Sequence, residues 1–316
     1  MPLEDDNNRI AFDRLNELIQ SGQVIAFIGS GCSMKQNYFS WKNLVLHFQN
    51  YVRANKPGYQ HNLTAAYLTD ADRLVTGISL LRDLMTDEEY ARNVHEAFKP
   101  KEDMNCEFHK NLMAIKFRHF VTTNYDVLLE HNSPQRNIRS FPWNNQNKLQ
   151  EFLRYLPQSS TGDISYIFHL HGIYDDISSV ILTKNEYDRV YVSPDFMADI
   201  LSTLVLTFRI CFVGYGMGDH DIMQVFRKVR LQYFAGELQN HFAFISAEDD
   251  TGIRSLDREM YRRNYGVEPI FFSEVDGDNR FEELDNLIFR LKEASPANSL
   301  EAQRKIIDEN SDLMGG

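Results

Sequence analysis

The chain has 316 residues, 43% hydrophobic and 25% charged, with a formal net charge of −12. That is enough chain to bury a core without disulfides or a structural metal, and its balance is that of an ordinary globular protein. The acidic charge argues against nucleic-acid binding over the whole surface and leaves only a local basic patch for it.

In chain order, the first strong signal is Val24–Ile28, an apolar run ending in Gly29-Ser30-Gly31-Cys32-Ser33. Four helical patterns follow, near Trp41–Ala54, His61–Met85, Asp87–Phe98 and Asn105–Ile115. They fill a gap too long for one crossover and predict a helical insertion over about 41–116. Further strands are expected at Phe117–Val121, Tyr166–Leu170, Val180–Leu182, Ile210–Val213, Phe242–Ile245 and Pro269–Phe272. Most are continuous rather than alternating in apolar character, as strands covered on both faces of a parallel sheet are. The stretch 132–163 is polar, with three prolines, and reads as loop with a short strand and helix. Phe281, Leu284, Leu287, Ile288 and Leu291 have helical spacing, with acids early and bases late. The fold class expected is α/β, a doubly wound parallel sheet with a helical insertion, spanning 1–295. A polar helix or tail over 296–316 follows.

Three cysteines, Cys32, Cys106 and Cys211, stand far apart with no C-x-x-C, which fits a reducing, cytoplasmic setting. The acidic start of the chain does not read as a secretory signal, and no apolar run reaches membrane-spanning length. Between Glu17 and Asp70 there is no acid, while Lys35, Lys42, Arg53 and Lys56 fall in that window. Such a window is a candidate for receiving an anion.

Three segments carry chemistry. The turn at Gly29–Ser33 follows a strand, so its amides can approach a phosphate, or it is a tight structural turn. Met34 stands where a dinucleotide fingerprint has its third glycine, and the acid expected about 20 residues on is missing, which disfavours an ordinary dehydrogenase. Val121-Thr122-Thr123-Asn124-Tyr125-Asp126 leads from a strand into small polar residues; Asn124 both donates and accepts hydrogen bonds without ionising. Ile167–Gly172 places His169 and His171 two apart, which on a strand is one face. One of them is a candidate general base with a pKa near working pH; a core histidine and a two-histidine metal site are the alternatives. Cys211–Asp219 repeats the pattern of a strand entering a glycine-rich turn, with Asp219 placed to cap the next helix.

Taken in order, Gly29–Ser33, Thr123–Asp126, Leu170-His171-Gly172 and Gly214-Tyr215-Gly216 resemble the motifs of the sirtuin superfamily. More narrowly they resemble the sirtuin-like domains of bacterial antiphage NAD hydrolases, as do Ser40-Trp41 and residues 181–191. The resemblance implies a Rossmann-like fold with NAD as substrate. It implies Asn124 and His171 as catalytic residues. Gly29, Ser30, Gly31 and Ser33 would hold the pyrophosphate, and Thr123 would line the same site. Asp126 would hold the nicotinamide amide, Gly214 and Tyr215 the adenosine ribose, and Ser246 the adenine side. The paired C-x-x-C zinc cysteines of the family's deacetylases are missing here, as is its Asp-Phe-Arg, so hydrolysis without a metal is favoured over deacylation. The expected products are nicotinamide and ADP-ribose, or a cyclic form of it. A sensor of NAD or ADP-ribose without turnover and a zinc-free deacylase are the alternatives. The remainder of the chain is short for a sensor domain, so a homo-oligomer and a separate partner are expected. A HerA-type ATPase is preferred to an Argonaute-type protein, with no direct nucleic-acid or membrane binding.

Overall fold

The computed structural model describes residues 5–59, 71–133, 137–156, 164–192, 196–217, 219–233, 241–247, 250–274 and 280–294. It begins with a helix, α1 (Asp6–Gln20), that the sequence reading did not anticipate. Asp5 caps it by accepting from the Asn7 N–H at 2.9 Å, and Ala11, Phe12, Leu15 and Ile19 are buried on one face. The buried Asn8 side chain accepts from the Phe271 N–H and donates to the Phe271 carbonyl, which ties the helix to the sheet.

Among the described residues seven strands form one parallel sheet: β1 (Val24–Ile28), β2 (Phe120–Thr122), β3 (Asn137–Pro142), β4 (Ile164–His169), β5 (Arg209–Val213), β6 (His241–Ser246) and β7 (Val267–Phe272). Their order is β3-β4-β2-β1-β5-β6-β7, every pairing parallel. The chain leaves β1 for one side of the sheet and later returns to its other side. The turns after β1, β2 and β5 therefore meet at one end, the crevice where doubly wound sheets hold ligands. This is the Rossmann-like α/β sheet expected.

Two helical elements, α2 (Ser30–Ser33) and α3 (Trp41–Asn55), follow β1, then α4 (Ala71–Arg82), α5 (Asp87–Phe98) and α6 (Glu107–Ala114). The expected helix from His61 is described only over α4, since residues 60–70 lie outside the described residues. After β2 comes α7 (Leu128–His131), and after β3 comes α8 (Gln146–Tyr155). The rest are α9 (Lys184–Tyr187), running into a π-helical turn at Asp188–Val192, then α10 (Phe196–Thr207), α11 (His220–Tyr233), α12 (Thr251–Tyr265) and α13 (Glu282–Glu293). Residues 295–316 lie outside the described residues. No single helix among the described residues is long and apolar enough to cross a membrane.

Along β1, Ile25 and Phe27 face one core while Val24, Ala26 and Ile28 face the other, so both faces are covered. A third core holds α3, α4 and α5 together through Phe48, Val52, Ile78 and Val94. It includes Tyr125, Leu128, Val180 and Leu182, which packs the helical module against the loops at the sheet's end. Val180–Leu182 is not a strand, contrary to expectation. It is buried loop, its Ile181 N–H bonded to the His171 carbonyl at 2.9 Å and its Ile181 carbonyl to the Tyr125 hydroxyl at 2.7 Å. Those bonds satisfy the backbone that a sheet would otherwise have to pair.

The acid-free window is not an anion site as a whole, because tertiary contacts bring acids to it. Lys35 pairs with Asp285 and Lys56 with Glu89 at 2.7 Å.

Candidate active site

At the carboxyl ends of β1, β2 and β5 lies a cavity of about 530 Å³. Its sheet side presents Ser30, Ser33, Thr123, Asn124, Asp126, His171, Tyr215 and Asp219. The helical module closes the opposite side with Phe39, Trp41, Leu44, Val75 and Phe98. Ser40 caps α3 by accepting from the Asn43 N–H at 3.3 Å, and so sets where Trp41 enters the cavity wall.

Asn124 is 7% exposed and held from three directions. Its backbone N–H donates to Thr122 Oγ1 at 3.0 Å. Its side-chain Nδ2 donates to the Gly29 carbonyl at 3.1 Å and to Ser33 Oγ at 2.9 Å. Its backbone carbonyl lies 3.1 Å from His169 Nδ1. The remaining group, Oδ1, is buried with no hydrogen-bond partner. A buried acceptor without a partner is costly, and the cavity it lines is where a donor would satisfy it.

The two histidines do different things. β4 ends at His169, so strand alternation does not carry on to His171 and the two do not share a face. His169 is fully buried, with Nε2 2.7 Å from Glu130 Oε1. Burial works against charge on both, yet each partner's charge wins: the imidazole is pushed up and the Glu130 carboxyl down from their ordinary values. His171 instead lines the cavity from the turn after β4. Gly172, at φ 88°, allows that turn, and a Cβ there would lie 2.2 Å from the Ser179 carbonyl oxygen. Burial lowers the His171 pKa to about 3, so it does not titrate near neutrality as expected and is a neutral imidazole there. Burial also pushes the Asp126 carboxyl up, against hydrogen bonds from Ser33 and the Leu128 N–H.

The glycines of the two turns pack on each other. Gly31 N–H donates to the Gly214 carbonyl at 2.8 Å, and Gly29 N–H to that of Val213 at 3.0 Å. A Cβ on Gly29 would stand 2.5 Å from the Gly214 oxygen, and one on Gly31 2.8 Å from it. Gly29, Gly31 and Gly214 thus set the spacing of the two turns, while Ser30, Ser33, Tyr215 and Gly216 face the cavity. Ser246 ends β6 and is exposed, and it is not among the residues that line this cavity. Cys32 is a packing residue, its thiol pushed far up by burial.

Sequence reasoning did not assign Tyr187, Tyr191 or a site role for Asp219. The Tyr187 and Tyr191 rings stack 5.7 Å apart, and Tyr191 Oη lies 3.1 Å from His171 Nε2. Their i, i+4 spacing within 181–191 was the available signal. Among the described residues, no group of three or more His, Cys, Asp or Glu side chains is arranged to hold a metal ion.

Residues 118–270 match the family model described as a SIR2-like domain. The chain is 25% identical over 235 residues to "NAD(+) hydrolase ThsA" of Enterococcus faecium, covering 71% of this chain and 43% of that protein. It is 22% identical over 289 residues to "Defense-associated sirtuin 2" of Bacillus subtilis, covering 89% and 26%. To "NAD(+) hydrolase ThsA" of Bacillus cereus (strain MSX-D12) it is 23% identical over 242 residues, covering 75% and 46%. The chain therefore spans less than half the length of these curated relatives. With its parallel sheet, its paired glycine turns and the Asn124–His171 cavity between them, the chain is similar over residues 118–270 to a SIR2-like domain.

Proposed function

We propose that this protein cleaves the nicotinamide–ribose bond of NAD with water, releasing nicotinamide and ADP-ribose, and does so in antiphage defence. The observation that carries the reading is the buried, unpartnered Oδ1 of Asn124 in one cavity with a neutral His171. The names of the relatives support the substrate and the defence role.

Asn124 accepts from a ribose hydroxyl or the attacking water through Oδ1, and its other bonds hold that oxygen still. Water oxygen bonds to the anomeric carbon as the carbon–nitrogen bond breaks, its electron pair leaving with neutral nicotinamide. The proton released goes to His171, which is ready to accept it because burial keeps it neutral. Ser30, Ser33 and Thr123 offer hydroxyls, and Asp126 is assigned to the carboxamide. Gly29, Gly31, Gly214 and Tyr215 shape the wall beside the phosphates and ribose, and Ser246 is assigned to the adenine side. The chemistry so described uses no metal.

Self-association and control by a separate partner, of the HerA-type ATPase class before the Argonaute type, belong to the same proposal. The exposed Ile253, Leu256 and Met260 along α12 offer apolar surface for such contacts.

The test is nicotinamide release from NAD by the purified protein. Asn124→Ala and His171→Ala are each expected to lower turnover about 100-fold or more, through lost positioning for Asn124 and lost general-base assistance for His171. Wild-type turnover in both variants would overturn the assignment. Binding of NAD without nicotinamide release in the wild type would favour a sensor.

A further inference from the structure

A buried base that must accept a proton meets an opposing force. His171 is 2% exposed, and its surroundings hold it neutral. The imidazolium formed during the reaction therefore needs compensation from a group already in place. Asp219 Oδ2 stands 3.7 Å from His171 Nε2 and lines the same cavity.

The two oxygens of Asp219 have separate work. Oδ1 accepts from the Ile222 N–H at 3.2 Å, and the Asp219 carbonyl accepts from the Met223 N–H at 3.0 Å, so the residue caps α11. Oδ2 faces the site, where the Tyr187 hydroxyl donates to it at 3.3 Å. The Tyr187 ring packs edge-on against His171, centroids 5.3 Å apart at 74°. The helix cap thus fixes the carboxylate, and the tyrosine aims its second oxygen toward the imidazole.

We infer that Asp219 is a positioning residue that acts through His171, its carboxylate orienting the imidazole and stabilising the imidazolium formed when water gives up its proton. The inference rests on the NAD-cleaving reading and adds to it a carboxylate that acts through His171. Atoms balance as before: the proton moves from water to His171, and none is transferred to Asp219. A distance of 3.7 Å makes the interaction one of charge rather than of a short hydrogen bond. Such a partner is worth most in a site closed to water.

Asp219→Asn separates the roles, because an asparagine side-chain oxygen still caps a helix while the charge is gone. The assay is steady-state nicotinamide release, with the melting temperature measured beside it. The expected result is a kcat about 100-fold lower, the low end for acid–base assistance, with KM changed by less than about 3-fold and wild-type melting. Asp219→Ala is expected to show the same loss of kcat and a lower melting temperature as well. Wild-type kcat in Asp219→Asn, with instability confined to Asp219→Ala, would overturn the inference and leave a helix cap. A raised KM with kcat retained would overturn it in favour of substrate binding. Either result, obtained while Asn124→Ala and His171→Ala are inactive, leaves the NAD-cleaving reading standing. Wild-type turnover in those two variants would bring down both.

Discussion

Substituting Gly214 by alanine tests whether the glycines of the two turns set the geometry of the site. Gly214 has φ 62°, and an added Cβ would lie 2.5 Å from Cys32 Sγ and 2.6 Å from the Cys32 backbone nitrogen. The left-handed backbone alone costs an alanine about 1–2 kcal/mol. Forcing a methyl into packed backbone adds about 1–3 kcal/mol. A total near 3 kcal/mol corresponds to a melting temperature lower by roughly 4–5 °C in a chain of this size. The strain has a direction. It pushes the β5 turn away from Gly29–Ser33, the segment that anchors the Asn124 amide through the Gly29 carbonyl and Ser33 Oγ. A displacement of about 1 Å there is expected to lower turnover about 100-fold. The assays are thermal unfolding and nicotinamide release on the same preparation. Adding Cys32→Ala removes the sulfur contact but not the backbone one, so the double variant should recover only part of the stability. A Gly214→Ala protein that melts within about 1 °C of wild type would refute the reasoning.

The buried neutral histidines make stability fall with acid. His119 is 1% exposed with both ring nitrogens unpartnered, ringed by Phe152, Tyr166 and Phe208, and burial lowers its pKa to about 3. The unfolded chain takes up the proton below about pH 6.5 while the folded one does not, so stability is full above that pH and is lost as pH falls toward 3. At pH 5 this amounts to about 2 kcal/mol, and urea titrations of His119→Leu should show the acid loss smaller by that amount. An unchanged pH dependence would sink the point. His241, lowered to about 3, and His109, lowered to about 4, contribute in the same sense. Glu130→Gln removes the anion beside buried His169, and breaking such a pair costs about 3–5 kcal/mol; chemical unfolding should show it, and a loss below about 1 kcal/mol would mean the pair is solvated.

Strand positions were legible where burial on both faces leaves continuous apolar runs, as in β1 and β5. β3 was harder to locate because an edge strand keeps exposed residues, and only Phe141 of its six is buried. α1 went unseen because it carries many polar residues among its apolar ones, and its tie to the sheet runs through Asn8, a residue with no apolar signal. At the site, Asn124 and His171 could be chosen because each sits in a short ordered motif next to a turn. The structure places them differently: His171 lines the cavity, and His169 is engaged with Glu130.

The amino-acid order by itself determined the alternation of strands and helices, the two glycine turns and the residue types at the mouth of the sheet. Those features depend on local spacing, turn chemistry and burial pattern, which neighbours in the chain carry. Only the tertiary structure decided which groups meet. It brought Asp219 of the β5 turn to His171 of the β4 turn, set Tyr187 and Tyr191 beside them, and paired Lys35 with Asp285 across 250 positions. It also decided the charge state of His171, because a pKa near 3 comes from exclusion of water, and water is excluded by elements distant in the chain.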